Sequence, residues 1–208
     1  MLRWLLLPLL LGLTACGGSD LGGSDRGATT GTELTIAGAE ALTWGDGGYG
    51  VVLAHGASYD AASWEAQATV IAEQETTVIA VEDISPDGIR AAVEQLQADG
   101  IDDVALVGGS AGADAILQLA SAEPGLPDQL ILLSPNSPVE GLGEEPKLFV
   151  ASQEEGVAEV STKLAESAAG RDNEVKLLPG SAHAQGIFKT DQGEAVLDLI
   201  LQRLRRYA

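Results

Sequence analysis

The sequence predicts a three-layer α/β/α sandwich: a mostly parallel sheet between two layers of helices, led by an antiparallel hairpin and without a cap domain. Three observations predict it. From residue 32 onward, short apolar runs alternate with helical patterns, which is how βαβ units read in sequence. The central runs are apolar throughout instead of alternating, as expected for strands covered on both faces. The chain has 208 residues, 45% of them hydrophobic, enough for one sizeable core and no second domain. Aromatics are only 4%, so that core must be built from Ala, Val, Leu and Ile.

The elements follow in order. Residues 32–44 hold two weak strands joined as a hairpin, and Tyr49 to Ala54 (YGVVLA) is a strong buried strand. Asp60 to Gln74 is helical in pattern and leads to the strand Thr76 to Val81. Ser85-Pro86 opens a helix, with Ser at the N-cap and Pro in the first turn. It ends near Ala98, before Gly100, a natural C-cap. A strand from Asp103 to Val107, a helix from Ala111 to Ala122 and a strand from Gln129 to Leu133 come next. Lys147 to Ala151 is a strand, Val157 to Ala169 a helix, Glu174 to Leu178 a strand and Gln192 to Tyr207 the final helix.

Charge and residue counts narrow the chemistry. A formal charge of −20 repels nucleic acid and anionic lipid, so no nucleic-acid partner is expected. Cys16 is the single cysteine and His55 and His183 the only histidines, so no intramolecular disulfide and no Cys/His zinc cluster is expected. No metal or organic cofactor is called for. Any catalytic histidine must be one of the two.

The first residues read MLRWLLLPLLLGLTAC: a positive n-region at Arg3 and an apolar run from Leu5 to Leu13. That run falls short of the roughly 20 apolar residues a membrane-spanning helix needs, and it reads as a signal peptide. Leu13-Thr14-Ala15-Cys16 resembles the bacterial lipobox. The resemblance implies cleavage before Cys16, lipidation of its thiol and acylation (palmitate-type) of the new amino terminus, the several chains together making a stable anchor. The low-complexity stretch GGSDLGGSDRGATTG that follows reads as a flexible tether spanning roughly 20 Å r.m.s.. The expected organisation is a signal peptide over 1–15, a lipidated cysteine and tether over 16–31, and one folded domain over 32–208, held on the extracytoplasmic face of a membrane in the cell envelope.

Gly108-Gly109-Ser110-Ala111-Gly112 fits Gly-x-Ser-x-Gly and sits directly between an apolar strand and a helix. A strand-to-helix turn this tight forces its serine into a strained conformation. The residues two positions away must then lack side chains. The helix N-terminus adds partial positive charge for a developing oxyanion. A phosphate-cradling loop is the competing reading, but the stretch has no Walker-type Lys and does not match Gly-x-Gly-x-x-Gly.

This motif and the strand order around it resemble the α/β-hydrolase superfamily, above all its small, lidless, dienelactone-hydrolase-like members, from residue 32 to the C-terminus. The resemblance implies a serine hydrolase of the carboxylesterase kind, with Ser110 as nucleophile. It implies His183 as base, on the loop after the last strand, and an acid after the penultimate strand. In Ser152-Gln153-Glu154-Glu155-Gly156, Glu155 falls where the family has its Asp, and Ser152 stands where it has Gly. Glu154 is the adjacent alternative and Glu140 a more distant one. The His55-Gly56-Ala57 turn would shape an oxyanion hole from the backbone N–H groups of Ala57 and Ala111. His55 and Tyr59 are candidates for lining the substrate pocket, while Trp64 reads as core more than as a substrate platform. The chain is expected to act as a monomer on a small acyl substrate: short esters or thioesters by default, a lactone or small amide as variants. An inactive hydrolase-fold binding lipoprotein and an envelope acyltransferase on the same triad are the alternatives.

Overall fold

The computed structural model describes Met1 and residues 29–208; the expected signal peptide, Cys16 and most of the tether lie outside the described residues. Eight strands are described: β1 (Thr32–Ile36), β2 (Ala39–Trp44), β3 (Tyr49–Ala54), β4 (Thr76–Val81), β5 (Val104–Gly109), β6 (Gln129–Leu133), β7 (Lys147–Ser152) and β8 (Asn173–Leu178). They form one sheet in the order β1-β2-β4-β3-β5-β6-β7-β8. The β1–β2 hairpin joins β4 antiparallel, and every pairing from β4 to β8 is parallel. The fold is therefore the predicted one.

Among the described residues, five α-helices cover the sheet: α1 (Glu65–Ala72), α2 (Pro86–Ala98), α3 (Ala111–Ala122), α4 (Ala158–Ser167) and α5 (Gly193–Tyr207). Successive strand residues point to opposite faces, and the core divides accordingly. Val52 and Ala54 of β3 pack with α2, α3 and α4 through Ile89, Ile116 and Leu164. Val51 and Leu53 pack with α1 and α5 through Ile71, Val196 and Ile200. Burial on both faces is why these strands carry no polar alternation.

Local signals place the ends of the helices. Ser85 Oγ accepts from Gly88 N at 3.1 Å, with Pro86 at the first position of α2. The helix expected over residues 60–74 is in fact two pieces. Asp60 caps a 3-10 turn over Ala61–Trp64 by accepting from Ser63 N at 2.9 Å, and the α-helix begins only at Glu65. The side-chain cap competes with a regular first turn, which tightens it. A second 3-10 turn, Ala184–Lys189, follows His183 and has no counterpart in the apolar pattern. No helix among the described residues lies between β6 and β7, where a cap would be inserted.

Because β3 and β5 through β8 run parallel, their carboxyl ends share one edge of the sheet. The loops leaving those ends carry His55, Ser110, Asn136, Glu155 and His183.

Candidate active site

Ser110 is the hinge between β5 and α3, with φ 51° and ψ −114°. Its two flanking glycines are required by close approach. A Cβ on Gly112 would lie 2.3 Å from Ala54 O and 2.7 Å from His55 O, and one on Gly108 would lie 2.6 Å from Ile116 Cδ1 and 2.8 Å from Ala113 N. The turn is pinned by Ser110 N donating to Leu133 O at 2.9 Å. Left-handed backbone is costly for residues with a Cβ. Of the five non-glycine residues in that conformation among the described residues, three are Ser110, Ser134 and Ala184, all in this one place. Strain concentrated in this way marks sites where geometry is over-determined by the surroundings.

The structure brings Ser110, His183 and Glu155 into one hydrogen-bonded chain. His183 Nε2 lies 2.8 Å from Ser110 Oγ, and His183 Nδ1 lies 2.6 Å from Glu155 Oε2. The ionised carboxylate can only accept, so Nδ1 carries the proton. Nε2 is then left as the acceptor for the serine hydroxyl. The Glu155 side chain is 3% exposed and that of His183 42%, so the carboxylate end of the chain is sealed and the serine end open.

Glu155 is held as tightly as its burial demands. Its Oε1 accepts from Ser134 Oγ and from Ser152 N, both at 2.7 Å, which leaves Oε2 for the histidine. Ser152 also donates from Oγ to Ala182 O at 2.5 Å, tying the end of β7 to the histidine loop. Ser134 Oγ in turn accepts from Ala184 N at 2.9 Å. Ser134 therefore bridges Glu155 and Ala184, the residue after His183. It escaped the sequence reading, because a serine at a strand end carries no signature. Neither alternative acid is in the chain: Glu154 is exposed, its N–H donating to Gly180 O at 2.9 Å, and Glu140 is exposed on the β6–β7 loop.

The His55 turn lies against Ser110, where a Cβ on Gly56 would be 3.4 Å from Ser110 Cβ. Gln185, another residue absent from the sequence reading, fastens this turn: its Oε1 accepts from Gly56 N and its Nε2 donates to Ser63 Oγ, both at 2.8 Å. His55 itself is buried, with Nδ1 2.9 Å from Gly56 O, and takes no part in the Ser110 chain. Ala57, on this turn, is exposed, and Ala111 is the first residue of α3. Tyr59 lies over the 184–189 turn with Lys189 Nζ 5.1 Å from its ring centroid. Trp64 is fully buried and packs edge-on against Phe188 with centroids 5.9 Å apart, a core role. A cavity of about 530 Å³ lies elsewhere, at the β1–β2 edge between Leu34, Leu42, Asp60 and Glu82, and none of the Ser110 chain lines it.

No protein-family model matches the chain, and no curated protein does. Solved structures do match. A soluble variant of monoglyceride lipase from Saccharomyces cerevisiae superposes with a TM-score of 0.71 at 12% identity, covering 89% of this chain and 98% of that one. A "predicted CIB-like hydrolase" from Thermoplasma acidophilum gives 0.69 at 18% identity, covering 86% and 99%. A thioesterase domain from the curacin biosynthetic pathway gives 0.60 at 15% identity, covering 84% and 100%. With its sheet order, its strained strand-to-helix serine and these neighbours, the chain has the α/β-hydrolase fold.

Proposed function

We propose that this protein is a serine hydrolase that cleaves short acyl esters or thioesters. The observation that carries the reading is the unbroken chain from Ser110 Oγ through both nitrogens of His183 to Glu155. A serine hydroxyl is a weak nucleophile near neutral pH and needs a base within hydrogen-bonding reach. His183 takes the hydroxyl proton on Nε2 as the Oγ–C bond forms, while the carbonyl π electrons move to the carbonyl oxygen. The N–H groups of Ala57 and Ala111 receive that oxyanion. The leaving alcohol or thiol departs with the proton from His183. Water, deprotonated by the same nitrogen, then releases the acid from Ser110. Glu155 keeps the imidazole in the working tautomer and balances its charge when protonated.

The small substrate class is supported by the open β6–β7 side and by neighbours whose names include a monoglyceride lipase and a thioesterase. No observation favours an inactive scaffold, whose mark would be Glu155 turned away from His183. Anchoring at the cell envelope through Cys16 is proposed on the lipobox alone. Loss of palmitate labelling and of membrane association in Cys16→Ala would support it; membrane retention of that variant would sink it.

The deciding experiment treats residues 17–208 with a fluorophosphonate and maps the adduct by mass spectrometry. The expected result is one adduct, on Ser110, absent in Ser110→Ala and His183→Ala. Folded wild-type protein without an adduct would overturn the reading. A series of p-nitrophenyl esters of increasing chain length then tests the substrate class, with kcat/KM expected to fall beyond short chains.

A further inference from the structure

We infer that Asn136, held by Asp114, is a further catalytic residue of this site, a fixed donor to the nucleophile oxygen; the inference rests on the serine-hydrolase reading. Asn136 Nδ2 lies 3.3 Å from Ser110 Oγ and donates to Asp114 Oδ2 at 2.8 Å. The backbone N–H of Asn136 donates to the other oxygen, Asp114 Oδ1, also at 2.8 Å. Asp114 stands one helical turn after Ser110 on α3, its own N–H bonded to Ser110 O at 2.9 Å, which sets its side chain beside the serine. An ionised carboxylate accepts and never donates, so it decides which end of the Asn136 amide faces it. One N–H of Nδ2 goes to Asp114, and the second is left for Ser110. An exposed asparagine would ordinarily sample several rotamers; this one is clamped through backbone and side chain together.

The serine hydroxyl gives its proton to His183, and the amide N–H meets a lone pair of the same oxygen. A neutral hydroxyl is a modest acceptor. As the proton passes to His183 Nε2, charge develops on Oγ and the bond from Asn136 strengthens, which is the differential stabilisation that raises a rate. The same bond helps Oγ leave when water releases the acyl group. Asn136 also stands between the nucleophile and the Asp114 carboxylate, whose negative charge would otherwise oppose the charge growing on Oγ. Asp114 acts through Asn136 and is a positioning residue.

The test measures two quantities for wild type, Asn136→Ala, Asn136→Leu, Asp114→Ala and the Asp114→Ala/Asn136→Ala double variant. One is the second-order rate of fluorophosphonate inactivation; the other is the kcat and KM of p-nitrophenyl acetate hydrolysis. Melting temperatures confirm folding. Both Asn136 variants should lose about tenfold in inactivation rate and in kcat, the worth of one hydrogen bond to a developing charge, with KM within about twofold. The double variant should be no slower than Asn136→Ala, because the two residues act as a unit. Unchanged rates in folded Asn136→Ala, or losses in Asp114→Ala and Asn136→Ala that multiply, would overturn the inference while leaving the hydrolase reading intact. A wild-type protein inert to the probe would overturn both.

Discussion

At the amino ends of the parallel strands, Tyr49, Gln129, Glu145 and Lys147 are buried polar residues; at the carboxyl ends, Ser110, Ser134, Ser152, Glu155 and His183 form the hydrogen-bonded chain described above. Both ends therefore bury polar groups beneath the sheet's edge. The Lys147 side chain, fully buried, gives its three protons to the carbonyls of Gly143, Glu145 and Ala169 at 2.7, 2.6 and 3.2 Å, with Glu145 Oε1 at 3.3 Å. Burial holds its ammonium below the ordinary lysine range, against the pull of Glu145. Gln129 Nε2 donates to Tyr49 Oη at 2.8 Å. None of these four residues is in left-handed backbone, and the lysine is sealed from solvent. The carboxyl end has three strained residues and an imidazole open to solvent. Access to solvent and a cluster of strained residues, against the single strained Glu75 before β4 at the amino end, set the candidate site apart from polar groups that only close the fold.

Substitutions at the two ends should therefore fail differently. The largest effect is expected from Glu155→Gln. Ser152 N is an obligate donor to Oε1, so the amide oxygen must take that place and its NH2 must face His183 Nδ1. The proton is then driven to Nε2, which can no longer accept from Ser110. Steady-state assays should show kcat down by about 10³–10⁴ with the melting temperature nearly unchanged. A loss below tenfold would mean that Glu155 is not the acid.

Lys147→Met should do the reverse. It leaves the Glu145 carboxylate buried without its cation, and urea denaturation should show a loss of about 3–5 kcal/mol. The folded fraction should keep its fluorophosphonate reactivity; reactivity lost along with stability would erase the contrast between the two ends.

The amino end also has a pH signature. Burial pushes the Tyr49 hydroxyl from 10.0 up to about 12, partly offset by the bond from Gln129. The folded-state value is raised. The associated stability is thus fully present below pH 10, where the unfolded tyrosine keeps its proton, and is lost as pH rises through 12. Two pKa units amount to about 3 kcal/mol. Denaturation midpoints of wild type should fall between pH 10 and 12, and in Tyr49→Phe that part of the slope should vanish. Equal slopes would place the alkaline sensitivity elsewhere.

Ser134→Ala is the smallest of the four. It removes one of two donors to Glu155 Oε1 and leaves the Ala184 N–H without its acceptor. A loss of about 1–2 kcal/mol and about tenfold in kcat is expected, read by thermal melts and steady-state kinetics. A drop in stability alone would make Ser134 a structural bridge and no more.

How much of this was legible beforehand follows from what kind of signal each feature leaves. Apolar runs, turn glycines and the Ser85-Pro86 cap are local, so the strand and helix order could be read directly from the chain. So could the strained serine, because Gly108 and Gly112 are the only residue type that fits within 3 Å of the neighbouring backbone. The two 3-10 turns were not readable: they arise from a side-chain cap at Asp60 and from the anchoring of residues 183–185 to Ser134 and Gly56.

The sequence by itself determined the sheet, its two apolar faces, the place of Ser110 and a choice of one histidine and three glutamates. Only the tertiary structure decided which glutamate meets the histidine. Glu154 and Glu155 are neighbours of the same chemistry, and the turn after β7, fixed by Ser152 N and by Gly180 O across the sheet, points one inward and one to solvent. It also decided that Asn136 reaches Ser110, that Ser134 reaches Glu155 and that Lys147 is buried. Each of those outcomes depends on which partner a distant strand end delivers within 3.5 Å, and hydrogen-bonding partners separated by 20 residues or more leave no periodicity in the chain.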